Sequence, residues 1–362
     1  MPKKIAVVVG TRPEAIKLIP LVLELREREQ EYEVFTVCSA QHGALVREAA
    51  HSLDFNFDHF LRIYDPSLSL DENFSLVLQS SSKWFSEIGI DLVVVQGDTL
   101  TAGAAGMGAF LKKIPLIHIE AGLRTYDLGN PFPEEGFRQM ISRIASHHFC
   151  PTEEDCDNLI NEGIEEDYIS IVGNTVIDGL LLAEKNSSWP RSYSVPKDDF
   201  VVLITCHRRE SWGQRLDELV RIIPKIPAKV YVVCHPNPVV RNKFRSIGKK
   251  VEVGDSVPYV EMLAMMKRAN LIITDSGGIT EEASFLGKPI IIYREKTERM
   301  GVVDGGCGVL SLDADVILKK IEEAKSGDWS CTPYLGYGTG KACRQIVDII
   351  ESRFLEIEDT EE

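Results

Sequence analysis

No apolar run in this chain of 362 residues approaches the ~20 residues needed to cross a bilayer, and the first such run, Ile5 to Val9, is only strand length. Neither the charged region nor the long hydrophobic region of a secretory leader surrounds it, so a cytoplasmic protein with no membrane partner is expected. Cysteine is scattered: the eight residues include no CxxC pair and no His/Cys ligand spacing, which argues against a metal site. Cys38, Cys206 and Cys234 end apolar runs and read as reduced, buried thiols. Positive charge is in deficit, 40 Lys and Arg against 55 Asp and Glu, and the net charge of -15 argues against nucleic acid as a partner. A dinucleotide fingerprint is missing as well. Gly10 follows the first strand with no GxGxxG, while Gly103, Gly106 and Gly108 fall inside a helix, where close packing is their use, so no bound NAD is expected. None of this excludes a small anionic ligand, which needs only a local cluster of donors.

What is present is an alternation of short apolar runs and amphipathic segments. Hydrophobic residues make up 44% and charged residues 26%, the balance of a globular protein, and the length suits two lobes better than one core. Strands are expected at Ile5 to Val9, Val34 to Cys38, Leu92 to Gln96 and Leu116 to Glu120, each apolar on both faces as in a helix-covered parallel sheet. After a Ser, Pro and charge-rich shift at Asn186 to Asp199, five more follow: Phe200 to Thr205, Lys229 to Cys234, Val251 to Val253, Leu271 to Ile273 and Pro289 to Tyr293. The Met262, Met265 and Met266 face reads as core packing. The fold class is therefore α/β, with two Rossmann-like, doubly wound domains facing across a cleft. The expected boundaries are residues 1–172 with a returning C-terminal helix at 341–362, and residues 173–340.

One stretch concentrates the functional signals. Leu271 to Glu282, LIITDSGGITEE, reads as a strand, a tight turn and a helix starting near Ile279. Gly277 and Gly278 allow close backbone approach, Ser276 offers a hydroxyl, and the helix N-terminus favours an anion, although an ordinary capped turn would look the same. In open α/β sheets ligands bind beyond the carboxyl ends of the strands. The residues just past those ends are Arg12, Asp98, Glu120, His207 and Ser276. Each alone could be a cap or a surface ion pair. Together they suggest a wall of carboxylates for acid/base work and a wall of phosphate donors.

At these residues the chain resembles the non-hydrolysing UDP-N-acetylglucosamine 2-epimerases. The matching segments are GTRPEAIK (Gly10 to Lys17), QGDT (Gln96 to Thr99), HIEAGLRT (His118 to Thr125), PEE (Pro133 to Glu135), GNTVID (Gly173 to Asp178), HRRES (His207 to Ser211), TDSGGITEEA (Thr274 to Ala283) and TER (Thr297 to Arg299). The resemblance implies the two-lobed GT-B fold, a UDP-sugar substrate, no cofactor and a homodimer. It implies interconversion of UDP-N-acetylglucosamine and UDP-N-acetylmannosamine through loss of UDP to a 2-acetamidoglucal and its re-addition, in support of surface polysaccharide or glycoconjugate synthesis. Carried over residue by residue, Asp98, Glu120 and Glu134 serve the sugar end, and Arg12, Lys17 and His207 the phosphates or the leaving group. Ser276, Gly277 and Gly278 hold the diphosphate, Glu282 the ribose, and Arg299 the nucleotide side. Gln41 and His42 match a segment that makes an effector site in bacterial relatives. Alternatives are a hydrolysing 2-epimerase, an epimerase of a modified UDP-sugar and a GT-B glycosyltransferase.

Overall fold

The computed structural model describes residues 2–28, 32–61, 63–191, 193, 199–206, 213–234, 237–248, 251–254 and 256–355. Contacts divide the chain into two units: one runs to Leu182 and resumes at Tyr337, and the other is Ala183–Gly336.

The first unit is built on seven parallel strands: β1 (Lys3–Val9), β2 (Tyr32–Cys38), β3 (His59–Phe60), β4 (Leu92–Gln96), β5 (Leu116–Ile119), β6 (His147–Cys150) and β7 (Ile169–Ile171). Their order is β3-β2-β1-β4-β5-β6-β7, so the winding reverses between β1 and β4. Such a reversal leaves the tips of the two strands uncovered by crossovers, and the turns there are free to carry chemistry. Four of the seven were legible as apolar runs. β3 has two residues, β7 three, and β6 is His-His-Phe-Cys, so none of these offers the pattern that a buried strand usually shows.

The second unit has six parallel strands: β8 (Val201–Cys206), β9 (Lys229–Cys234), β10 (Val251–Gly254), β11 (Leu271–Thr274), β12 (Ile290–Ile292) and β13 (Gly308–Leu310). The order β10-β9-β8-β11-β12-β13 repeats the same topology, reversing between β8 and β11. Val202, Ile204, Val232, Ile273 and Ile291 form the centre of its core, with Leu216, Leu219 and Ile317 packed on from the helices.

Several local expectations are met. In the helix Leu100–Leu111, a Cβ at Gly103 would lie 3.2 Å from Phe137, at Gly106 3.2 Å from Leu116 and at Gly108 3.2 Å from Ser81, so these glycines let neighbours approach. Met262, Met265 and Met266 are buried. Cys38, Cys206 and Cys234 are buried free thiols, but Cys307 and Cys331, 24 residues apart, form a disulfide that spacing did not suggest. The C-terminal helix spans Ala342–Ile350 and widens into a π-turn over Glu351–Leu355, and residues 356–362 of the expected helix lie outside the described residues. Among the described residues, no helix is long and apolar enough to cross a membrane, and no cluster of three His, Cys, Asp or Glu could hold a metal.

Candidate active site

The turn after β1 starts the site in the first unit. Thr11 caps the helix Arg12–Arg26, Pro13 lies in its first turn, and Glu14 reaches back to accept from the backbone N–H groups of Gly10 (3.0 Å) and Thr11 (2.6 Å). The other oxygen of Glu14 accepts from the hydroxyl of Thr99 at 2.8 Å, in the turn after β4. Burial raises the Glu14 carboxyl to about 7, although all four hydrogen-bonding contributions, from Thr99, Thr11 and Gly10, pull the other way. Arg12, partly exposed, pairs with Glu48 at 3.3 Å.

Five residues past Arg12, Lys17 faces a different direction and is buried rather than solvated; its ammonium donates to Glu120. The resemblance sets Lys17 at the phosphates or the leaving group; in the structure its ammonium meets the Glu120 carboxylate. Glu120 lies one residue beyond β5 at φ +59°, a left-handed conformation that a non-glycine residue holds only when its surroundings over-determine it. The surroundings do so here. One carboxylate oxygen takes Lys17 and the amide of Gln96, and the other takes Asn174 at 3.2 Å. Asn174 follows Gly173, at φ +88°, where a Cβ would lie 2.8 Å from the carbonyl of Tyr337, and its own N–H donates to that carbonyl at 2.8 Å. The returning C-terminal segment therefore helps to hold Glu120.

Asp98 follows the tip of β4 and pairs with Arg138 of the helix Glu134–Ile144. Arg138 also meets Glu135 at 3.3 Å, and Glu135, fully buried, accepts from the N–H groups of Thr125 and Tyr126 at 3.1 Å each. Glu134 is the first residue of that helix and is half-buried. Arg138 was missed by sequence reasoning, though it stands three and four residues after two acids on one helix, the spacing of a helical ion pair. His118, inside β5, donates from Nε2 to the carbonyl of Gly97 at 2.8 Å and is lowered to about 4, chiefly by burial. The tips of β4 and β5 are thus joined three times: Gln96 to Glu120, the N–H of Gly97 to the carbonyl of Ile119, and His118 to Gly97.

Gln41 and His42 stand before the helix Gly43–Ser52. The side-chain carbonyl of Gln41 is turned inward and accepts from the hydroxyl of Thr101 at 2.8 Å, while His42 is exposed.

In the second unit, the turn after β11 takes the expected form with the helix starting two residues earlier, at Gly277 rather than Ile279. Ser276 is its cap. The guanidinium of Arg299 rests where a Cβ of Gly277 would be, whereas Gly278 faces open space. Glu281 accepts from Arg299 Nε at 2.7 Å, and Glu298 links Arg299 to Arg294. Glu282, expected at a ribose, accepts from the hydroxyl of Tyr259 at 2.7 Å. Tyr259 is a second residue that sequence reasoning passed over; it is a buried aromatic on the helix Tyr259–Arg268. His207 lies outside the described residues.

Comparison with known proteins follows the same lines. The profile of the UDP-N-acetylglucosamine 2-epimerase family matches residues 24–351. A UDP-N-acetylglucosamine 2-epimerase of Campylobacter jejuni is 36% identical, covering 97% of this chain and 98% of its own. The crystal structure of UDP-GlcNAc 2-epimerase from Neisseria meningitidis bound to UDP-GlcNAc superposes with a TM-score of 0.92 at 32% identity, covering 97% of this chain and 100% of that one. A spinosyn rhamnosyltransferase, 14% identical with a TM-score of 0.57 over 97% of this chain and 96% of its own, shares the two-domain α/β architecture of GT-B type and no more.

Proposed function

Because this chain belongs to the UDP-N-acetylglucosamine 2-epimerase family, we propose that it interconverts UDP-N-acetylglucosamine and UDP-N-acetylmannosamine without net hydrolysis. The C2 hydrogen of an N-acetylhexosamine has no carbonyl on the neighbouring ring carbon, so its direct removal gives a poorly stabilised carbanion. Departure of UDP supplies the way out. A base takes the C2 proton while the C1–O bond breaks and UDP leaves with its electron pair, forming a 2-acetamidoglucal. Return of a UDP oxygen to C1, with a proton delivered to the opposite face of C2, gives the epimer. Such a reaction calls for carboxylates near C1 and C2 and for cations at the diphosphate.

The observation that carries this reading is the pair of anchored carboxylates at adjacent strand tips, Glu120 between Lys17, Gln96 and Asn174, and Asp98 on Arg138. We assign Asp98, Glu120 and Glu134 to the sugar. Arg12 and His207 serve the leaving group, and Lys17 acts through the placement of Glu120. Ser276, Gly277 and Gly278 take the diphosphate, Glu282 the ribose, and Arg299 the nucleotide side. The reading includes a homodimer and no metal or organic cofactor.

NMR of the purified protein with UDP-N-acetylglucosamine in deuterated water tests this directly. The manno isomer should grow in with deuterium at C2 while UDP-sugar is conserved. Release of free N-acetylmannosamine in step with UDP would replace the reading with a hydrolysing epimerase, and a mixture left unchanged would reject both.

A further inference from the structure

The Glu14 carboxylate is buried, 1% exposed, and does not belong to the set assigned above to the sugar or the diphosphate. Its hydrogen bonds to Gly10, Thr11 and Thr99 run to two separate turns. Gly10 and Thr11 donate to one oxygen from the turn that leads into Arg12, and Thr99 donates to the other from the residue after Asp98. Thr99 is itself committed, since its hydroxyl accepts from the N–H of Ala102 at 3.0 Å as the cap of the helix Leu100–Leu111. A capping box explains the contact to the N–H of Thr11, and the N–H of Gly10 is the next donor back along the same turn. It does not explain why the second oxygen crosses to Thr99, 85 residues away.

The two turns are also closely packed, with the Thr101 side chain against the backbone of Gly10. A Cβ on Gly10 would collide with Thr101, whose hydroxyl bonds Ser39 at 2.7 Å and Gln41 at 2.8 Å. β1 and β4 are neighbours in the sheet, so their tips are adjacent already, but strand pairing ends at Val7 with Val94 and leaves the turns beyond to be fixed by other bonds.

We propose that Glu14 is a positioning residue for the reaction: it clasps the turn that carries Arg12 to the turn that carries Asp98 and so fixes the leaving-group cation relative to the sugar-side carboxylate. The inference rests on the epimerase reading and adds to it a residue that touches no substrate. Misplacing reacting groups by about 1 Å costs roughly 100-fold in rate. The clasp therefore belongs in kcat more than in KM.

Initial rates with UDP-N-acetylglucosamine should show kcat of Glu14→Ala reduced roughly 100-fold, with KM within a factor of about three. Glu14→Gln should recover most of that loss, because its carbonyl can accept from Gly10 and Thr11 while its amide donates to the Thr99 hydroxyl. Thr99→Val should be slow, Thr99→Ser restored, and Glu14→Ala with Thr99→Val no slower than Glu14→Ala alone. A purely structural carboxylate would change the yield of folded protein without coupling to Thr99 in kcat per folded site. Glu14→Gln as slow as Glu14→Ala, single losses that multiply, or an unchanged kcat in Glu14→Ala would each overturn the proposal. If Glu14→Ala fails to fold, the Thr99 pair decides. A wild-type chain that leaves UDP-N-acetylglucosamine unconverted refutes the functional reading instead. The clasp is then judged by hydrogen exchange at the Gly10 and Thr11 amides, which must quicken in Thr99→Val for it to stand.

Discussion

Lys17 and Glu120 stand 103 residues apart in the chain and meet as a buried ion pair. Neither group would be placed there by packing alone, since desolvating an ammonium and a carboxylate costs several kcal/mol each before their attraction repays it. The pair persists because Gln96 and Asn174 complete the carboxylate's bonds, and the result is an acid at a strand tip held in one orientation.

Removal of the cation should therefore be costly to the fold. Lys17→Met is expected to lower the free energy of urea unfolding by about 3 kcal/mol, because it leaves Glu120 charged and uncompensated by its cation. Adding Glu120→Gln should return a large part of that loss, since a neutral amide needs no counter-charge. A loss below about 1 kcal/mol in Lys17→Met would mean that Gln96 and Asn174 suffice on their own.

The two glycines of the turn after β11 should behave differently. An alanine Cβ at position 277 would occupy the place of the Arg299 guanidinium and displace it from Glu281 and Glu298, at a cost of about 1–3 kcal/mol. Thermal unfolding by circular dichroism should show Gly277→Ala melting well below wild type, and calorimetric titration should show weaker UDP binding. Gly278→Ala meets nothing within 4 Å and lies in a helix, so its melting temperature should hold or rise. Equal melting temperatures in the two variants would show that Arg299 moves aside without cost.

How far the sequence led depended on the kind of signal. β1, β4, β5 and β11 were legible because each is an apolar run ended by a polar residue, and those ends are where Arg12, Asp98, Glu120 and Ser276 stand. β6 was illegible because two of its four residues are histidines, which only the folded sheet shows to be buried and neutral. The contact of Lys17 with Glu120 was illegible because the partner lies on another strand tip, and no local spacing encodes a contact of that range. Arg138 and Tyr259 were lost for a related reason: each acts by holding an acid, and a residue type says less about holding than about reacting. The disulfide between Cys307 and Cys331 likewise depends on the packing of two distant segments.

The buried histidines make stability depend on pH in a direction that can be worked out. Burial lowers His118 from 6.5 to about 4, and His147 and His148 to about 4 and about 3. Between pH 6.5 and 4 the unfolded chain binds protons at these positions that the folded chain refuses, so their contribution to stability is complete above 6.5 and is lost as pH falls through that window. Glu14 runs the other way. Its carboxyl, raised to about 7, keeps a proton in the folded state that the unfolded chain gives up above 4.5, so its contribution declines as pH rises from 4.5 to 7. Comparing wild type with one variant cancels every group but the one replaced. His118→Gln removes a titrating ring while keeping a donor for the Gly97 carbonyl. The slope of unfolding free energy against pH, taken from urea melts between pH 5 and 6.5, should flatten in that variant by up to about 1.4 kcal/mol per pH unit. Parallel slopes would mean that His118 takes up its proton in the folded sheet, which its fully buried place against Gly97 and His148 argues against.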